Sequence, residues 1–389
     1  MLGVINRKNK INITDYPYKR DITNRLFLAD LTAFDIHILQ EMLFHPSKIQ
    51  LAELAESASC SVEELTKTLN TFSRVGFTMK EGNTLFVDKE LRKYFEFHIA
   101  KFSKNFEPSF EYLQGLLNKV PISVLPTWYS IPRTSDNIFS SIVEKYLLTP
   151  KVYENYLAEV TFSDPLIQHI IRDVFASSEL AIPASELCDR YRIPKDKFQE
   201  YMLLLEFHFV LVSSFKNRQE VISPFHEWRE YLLHQRQRKA IAIASEKVVT
   251  TQPAIQVSTI RKQEEAMKLF RQTIDLWQSE WSQTLSSVER SVYEIEKAMR
   301  AIAEEAWILV DDFIASMICP IGKQEPVQLQ RIGKKWRYVL PSYSEKERRF
   351  IKMVICDLLH QVGITAVGIV EDQPCFKITP FGRIALGEA

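Results

Sequence analysis

The feature that most constrains this chain is a pattern used twice, 133 residues apart. Ala52–Met79 and Ser185–Val212 align without a gap. Leu54, Cys60, Leu65, Leu69, Phe72, Phe77 and Met79 fall opposite Leu187, Ile193, Phe198, Met202, Leu205, Val210 and Val212. Each copy reads as a short helix, a turn, a longer amphipathic helix and the first strand of a hairpin. Identity is thin (Glu53/Glu186 and Leu54/Leu187), so shared periodicity carries the repeat.

In the first copy Thr32 reads as the N-cap of a helix whose face is Phe34, Ile38 and Met42. Pro46 ends that helix, because proline disfavours a helical residue before it. Leu51–Ser57 reads as the second helix. Ser61 and Glu64 form a capping box that opens the third, with Leu65, Leu69 and Phe72 as its buried stripe. Gly76 suits the end of the third helix, since glycine takes a left-handed conformation cheaply. Phe77–Met79 and Leu85–Val87, joined through Gly82, read as a hairpin. In the second copy Ile167, Ile170, Ile171 and Val174 mark the first helix, and Ala184–Tyr191 is the second. Pro194 opens the third as an N1 proline, and Phe209–Ser213 with Glu220–Ile222 form the hairpin. Phe209 stands where Gly76 stands, so this helix is expected to end by another route.

Between the copies, residues 99–163 read as a helical connector. Its stretch Val120–Pro132, with Trp128 and Tyr129, reads as a buried irregular turn. Residues 237–258 lose helical periodicity and read as a linker, or as a strand that pairs with a neighbour. Thr259 to Ile318 contains no glycine or proline, and from Phe270 to Phe313 apolar residues recur in twelve steps over 43 residues. That period fits a straight helix of ~3.6 residues per turn better than a supercoil at ~3.5. Ser286 and Glu289 offer a capping box, so a break there into two packed helices stays open. The apolar stripe needs cover, from the chain's own modules or from a second copy, and a dimer or bundle surface is expected. Further on, a hairpin around Gly333 and Lys334 precedes a helix capped by Ser344, with Ile351, Val354, Ile355, Leu358 and Leu359 on one face. Ala366–Val370 and Cys375–Ile378 then pair across Glu371–Pro374.

The 389 residues suffice for two or three domains. Only 10 are glycine, and no GxGxxG or GxxxxGK[ST] occurs, which weighs against nucleotide enzymes. The eight histidines make no HExxH or His/Cys metal spacing. His208 reads as a satisfied core histidine, Cys60 and Cys188 as core residues, and Asp311, Asp312, Glu304 and Glu305 as a solvated helix face. A non-catalytic protein without cofactor or metal is predicted. Five scattered cysteines with no CxxC predict free thiols in a reducing compartment. The opening lacks the apolar core of a signal peptide, and no run nears the ~18 apolar residues of a membrane span, so no membrane contact and a cytoplasmic location are expected.

Net charge is zero but unevenly spread: +4 over residues 1–27, −4 over 28–98, −3 over 164–234 and +4 over 323–389. Arg7, Lys8, Lys10, Lys19, Arg20 and Arg25 read either as a basic arm for nucleic-acid backbone or as a solvated terminus or tucked strand near Ile11–Ile13. Lys334, Lys335, Arg337, Lys346, Arg348, Arg349 and Lys352 cluster within 19 residues beside Trp336 and Tyr338, and are the candidate nucleic-acid-binding residues.

On these patterns residues 31–95 and 165–232 resemble winged-helix domains, and 327–387 resembles a degenerate third. The resemblance covers roughly half the chain and carries no diagnostic motif. It implies a mainly α fold with small β-hairpin wings: a basic N-terminal arm (1–27), modules at 28–98 and 164–236, a helical connector (99–163), a linker (237–258), a long amphipathic helix or helical hairpin (259–318) and a third module (319–389). In that superfamily the third helix commonly enters the DNA major groove while the wing touches backbone. Carried over, the third helices would present Glu63, Glu64, Thr66, Lys67 and Asn70 in the first module, and Lys195, Asp196, Lys197, Gln199 and Glu200 in the second. Phosphate binding rests on Lys and Arg, and mixed faces on acidic modules are poor at it. The sequence therefore predicts a transcription- or chromosome-associated factor that contacts DNA (RNA less readily) through its basic C-terminal module. The other reading makes the acidic modules protein-docking platforms, resembling the accessory subunits of chromosome-segregation complexes, with a protein partner or second copy on 259–318.

Overall fold

The computed structural model describes residues 11–135, 137–237, 248–250, 260–300, 302 and 306–387. Arg7, Lys8, Lys10, Glu304, Glu305 and most of the expected linker lie outside them. The chain divides into two units: Met1–Leu147, Lys151–Glu230 and Arg331–Trp336 form the first, and Leu148–Pro150, Tyr231–Gln330 and Arg337–Ala389 the second. As the sequence predicts, the described chain is mainly helical with small antiparallel sheets of two to four strands.

The expected arm is a helix where it is described. After a turn at Ile13–Asp15, α1 (Tyr18–Ala29) buries Asp21, Asn24, Arg25, Phe27 and Leu28, while Lys19 and Arg20 stay exposed. No strand forms at Ile11–Ile13. The first repeat then runs α2 (Ala33–Phe44), β1 (Lys48–Gln50), α3 (Leu51–Ser57), α4 (Val62–Arg74), β2 (Thr78–Glu81) and β3 (Thr84–Val87), with strand order β1-β3-β2. Reciprocal caps fix where two of its helices begin. The Thr32 hydroxyl accepts the Asp35 amide at 3.1 Å, and the Asp35 carboxylate accepts the Thr32 amide at 3.0 Å. Ser61 and Glu64 repeat this for α4 at 3.2 and 3.1 Å. Each cap satisfies otherwise partnerless amides and is worth about 1 kcal/mol. Ile38, Leu39, Met42, Leu54, Leu65, Leu69, Phe72 and Phe77 make the core. Phe34, expected on the buried face, is at the surface, and Leu39 lies inside instead.

α5 (Lys89–His98) follows on an Asp88 cap, and the connector folds as α6 (Phe110–Leu117), α7 (Leu125–Trp128), α8 (Ile138–Ile142) and α9 (Pro150–Glu159). The expected buried irregular turn holds only in part: Trp128 and Tyr129 are fully buried, but Leu125–Trp128 is helical and Pro121, Ile122 and Ser123 are exposed. The second repeat is α10 (Pro165–Ala176), β4 (Ile182–Pro183), α11 (Ala184–Tyr191), α12 (Lys195–Phe207), β5 (Val212–Lys216) and β6 (Gln219–Ser223), ordered β4-β6-β5. Pro194 is the N-cap of α12, one residue before its expected place. Of the aligned pairs, Met79 and Val212 part company most: Met79 is 58% exposed and Val212 is buried. Cys60 and Cys188 are half-buried at the core's edge.

Phe209 corrects another expectation. It takes the same left-handed conformation as Gly76, with φ of 61° against 76°. Its β-carbon costs about 1 kcal/mol or more there, and buried packing holds it. The Phe209 ring stacks on Tyr129 at 5.0 Å, and the carbonyl of the helix's last residue and the two that follow are each met by a phenol. Tyr129 donates to Phe207 O and Tyr156 to His208 O, both at 2.9 Å, and Tyr153 donates to Phe209 O.

After α13 (His226–Gln237), the second unit contains β7 (Val249–Thr250), α14 (Ile260–Glu280), α15 (Val288–Met299), β8 (Ile308–Leu309) and α16 (Val310–Ser316). The chain continues with β9 (Gln328–Ile332) and β10 (Lys335–Val339), of which Arg331–Trp336 belongs to the first unit, and then α17 (Glu345–Met353), α18 (Leu359–Gln361), β11 (Thr365–Val370), β12 (Gln373–Ile378) and α19 (Pro380–Ala385). The stretch read as one long helix or a helical hairpin holds three helices and a short strand among the described residues. The first break is where the alternative reading put it, though Ser287 rather than Ser286 is the cap, accepting the Arg290 amide at 3.2 Å. The period misled because each piece packs on one core: Phe270, Trp281, Leu285, Val292, Ile295, Met299 and Phe313 share it with Phe350, Ile351, Val354 and Phe376. The chain's own C-terminal residues cover the stripe.

This unit also repeats the earlier order. α15, β8, α16, α17 and the β11–β12 hairpin follow in sequence, and β8-β12-β11 pair as β1-β3-β2 and β4-β6-β5 do. The set begins at Val288, not at 319, and the β9–β10 hairpin is an insertion between its second and third helices. The β11–β12 turn is tighter than expected: Glu371 and Asp372, both at positive φ, make it, and Pro374 is already in strand. Val249 and Thr250 pair with Ile369 and Gly368, so the expected linker does supply a strand. No described helix is long and apolar enough to cross a membrane.

Candidate nucleic-acid interface

Helix α17 occupies the third-helix position of the last set, and its sequence splits it into two faces. The Ser344 and Glu347 box opens it, Ser344 N–H donating to the carboxylate at 2.8 Å. Phe350 and Ile351 point into the core, followed by Val354 and Ile355 in the wider turn Val354–Leu358. At ~100° per residue the opposite side must carry Lys346, Arg348, Arg349 and Lys352. Lys346, Arg348 and Arg349 are exposed, and no ion pair reaches them among the described residues. Lys352 is half-buried, its ammonium 2.9 and 3.0 Å from the two carboxylate oxygens of Asp311 on α16.

The other three sequence candidates lie elsewhere. Arg337 is exposed on β10 in the second unit. Lys334 and Lys335 belong to the first unit, where Lys335 pairs with Glu107 at 3.2 Å. The neighbouring Trp336 donates its backbone N–H to the Glu111 carboxylate at 2.6 Å and sets its ring against Phe139. Tyr338 is buried.

The third helices of the first two sets differ from α17. On α4 the exposed polar residues are Glu63, Glu64, Lys67, Asn70, Ser73 and Arg74, of mixed sign. On α12 the side away from its own module's core is buried as well: Gln199, Leu203 and Glu206 are 4%, 0% and 0% exposed. Gln199, expected on the solvent face, bonds Glu220 instead. Only its first turn stays open, with Lys195, Asp196 and Lys197 exposed and of mixed sign, and Glu200 half-buried.

What α12 meets is a chain of buried charges. Arg25 donates to Asp21 at 3.0 Å and to Glu206 at 2.7 Å, and Lys101 lies 3.4 Å from Glu206 and 2.9 Å from Ser213 Oγ. Tyr16 and Tyr94 donate to the Asp21 carboxylate at 2.8 and 2.6 Å. Burial alone would raise Asp21 and Glu206, but Arg25 and the hydroxyls outweigh it at Asp21, and Arg25 with Lys101 outweighs it at Glu206, so both stay below the usual carboxylate range. Burial lowers Lys101 further than Glu206 lifts it. Sequence reading missed this cluster because Arg25 and Glu206 are 181 residues apart. The one local signal was the Asp21/Arg25 spacing of four on a helix.

Glu227 and His208 are also buried and titratable. Glu227 accepts the Phe110 amide at 2.9 Å, and burial, with Glu111 and Glu230 nearby, pushes its carboxyl up to about 8. His208 is the satisfied core histidine expected: Nδ1 is 2.8 Å from Leu204 O and burial pushes it down to about 4. An open depression of about 290 Å³ on the first repeat is lined by Thr32, Phe34, Asp35, Glu64, Lys67, Thr68 and Thr71. Its Asp35 is tied to Thr32 and Thr68. All five cysteines are free. A scan against family models, a search of curated proteins and a search of solved structures each found no match.

Proposed function

We propose that the protein is a non-catalytic, cytoplasmic nucleic-acid-associated factor built of three winged-helix modules, and that it grips duplex phosphates through α17. The observation that carries this reading is the basic side of that helix, with Lys346, Arg348 and Arg349 exposed and held by no carboxylate among the described residues. Unpaired Lys and Arg on a rigid helix can exchange counterions for phosphates without first breaking internal pairs. The test is fluorescence anisotropy of a labelled 30-base-pair random duplex titrated at several salt concentrations. Log affinity should fall linearly with log salt, with each phosphate contact adding about 0.9 to the slope. A Lys346/Arg348/Arg349 triple-alanine variant should lose two to three such contacts. No binding by the wild type at low salt would sink the proposal.

A second reading has its own support. α12 already spends its groove-reading side on α1, through Arg25 and Glu206. The acidic first two modules would then be docking platforms for protein rather than readers of DNA. Retention of a defined partner by a chain that ignores duplex would favour it.

A further inference from the structure

We infer that Asp311 acts as an internal stand-in for a phosphate, restraining Lys352 and so setting how tightly α17 engages nucleic acid. The inference rests on the nucleic-acid reading above. Of the basic residues on α17, Lys352 alone is in an ion pair among the described residues, and it meets both oxygens of one carboxylate at 2.9 and 3.0 Å. Two anionic oxygens around one ammonium are what a backbone phosphate would offer in their place. The pair is partly exposed on both sides, 39% for Lys352 and 50% for Asp311, so it is weak enough to exchange. Asp311 is held in position by its own helix: Val310, Phe313 and Ile314 of α16 are buried, which turns Asp311 towards α17.

The consequence is a cost on binding. When Lys352 turns to a phosphate, Asp311 is left unpaired beside a polyanion within a Debye length of ~10 Å. Fewer counterions are then released per bound duplex than the count of basic residues implies. Asp312, the next residue, is exposed and carries the same charge without the pair, which makes it the natural control.

The test is the duplex titration repeated with Asp311→Asn, Asp312→Asn and Lys352→Ala, and with the double variant Asp311→Asn/Lys352→Ala. Asp311→Asn is expected to tighten binding about three- to tenfold at low salt and to steepen the salt slope by up to about 0.9. Asp312→Asn should do clearly less, and the gain from Asp311→Asn should vanish in the Lys352→Ala background. Wild-type binding left unchanged by Asp311→Asn overturns it while the nucleic-acid reading survives. Equal effects of Asp311→Asn and Asp312→Asn overturn it too, because general charge then explains both. If neither the wild type nor Asp311→Asn binds at low salt, both claims fall together.

Discussion

At the residue scale, the first unit depends on a few charges with nowhere else to go. Arg25 stands between Asp21 and Glu206, each under 5% exposed. Arg25→Ala leaves two buried carboxylates facing each other, with Lys101 as the remaining cation. It should destabilise the chain by about 3–5 kcal/mol in urea denaturation. A change under 1 kcal/mol would mean the charges are solvated. Glu227 gives a pH signature of opposite sense to most acids. Its carboxyl titrates near 4.5 when unfolded and near 8 when folded, so the folded state keeps a proton that the unfolded state loses. Its contribution is complete below pH ~4.5 and is lost as pH rises to about 8, at up to ~1.4 kcal/mol per unit. Glu227→Gln should therefore match the wild type near pH 5 and exceed it in stability by most near pH 8.5. A gap that widens towards acid would contradict this.

At the element scale, Gly76 and Phe209 end equivalent helices in one conformation by different means. A β-carbon at Gly76 meets nothing within 4 Å, so Gly76→Ala should cost only its backbone strain, about 1 kcal/mol by thermal or urea unfolding. Phe209→Gly relieves that strain but removes a fully buried ring, and should still destabilise by about 2–4 kcal/mol. The pair also shows what a sequence can tell. Leu54/Leu187 and Leu65/Phe198 were legible because a helix repeats its buried face every three or four residues, whatever surrounds it. Phe209 was not, since its conformation is imposed by Tyr129, Tyr153 and Tyr156 from a distant connector. The segment from Phe270 to Phe313 failed differently. Periodicity reports which residues face a core, and it stays in step across the turn at Ser287 because both helices face the same one. On α17, the basic face could be read because cap and stripe both fall within fifteen residues of Ser344. That Lys335 meets Glu107, and Lys352 meets Asp311, could not, since those partners are 228 and 41 residues away.

At the scale of the whole molecule, three sets of elements share one order and differ in what their third helix faces. On α4 it is solvent with mixed charge, on α12 it is protein, and on α17 it is solvent with basic charge. The proposed division of labour follows: the first unit is fixed by internal packing, and contact with nucleic acid falls to the second. Reversing Lys346, Arg348 and Arg349 to glutamate should leave the unfolding midpoint within about 0.5 kcal/mol of wild type, because exposed charges contribute little to folding, while abolishing duplex binding. The most direct measurement is amide hydrogen exchange on the full chain with and without a saturating 30-base-pair duplex. The account predicts added protection at 344–353, with the amides of Val62–Arg74 unchanged. Protection at Val62–Arg74 with none at 344–353 would contradict it.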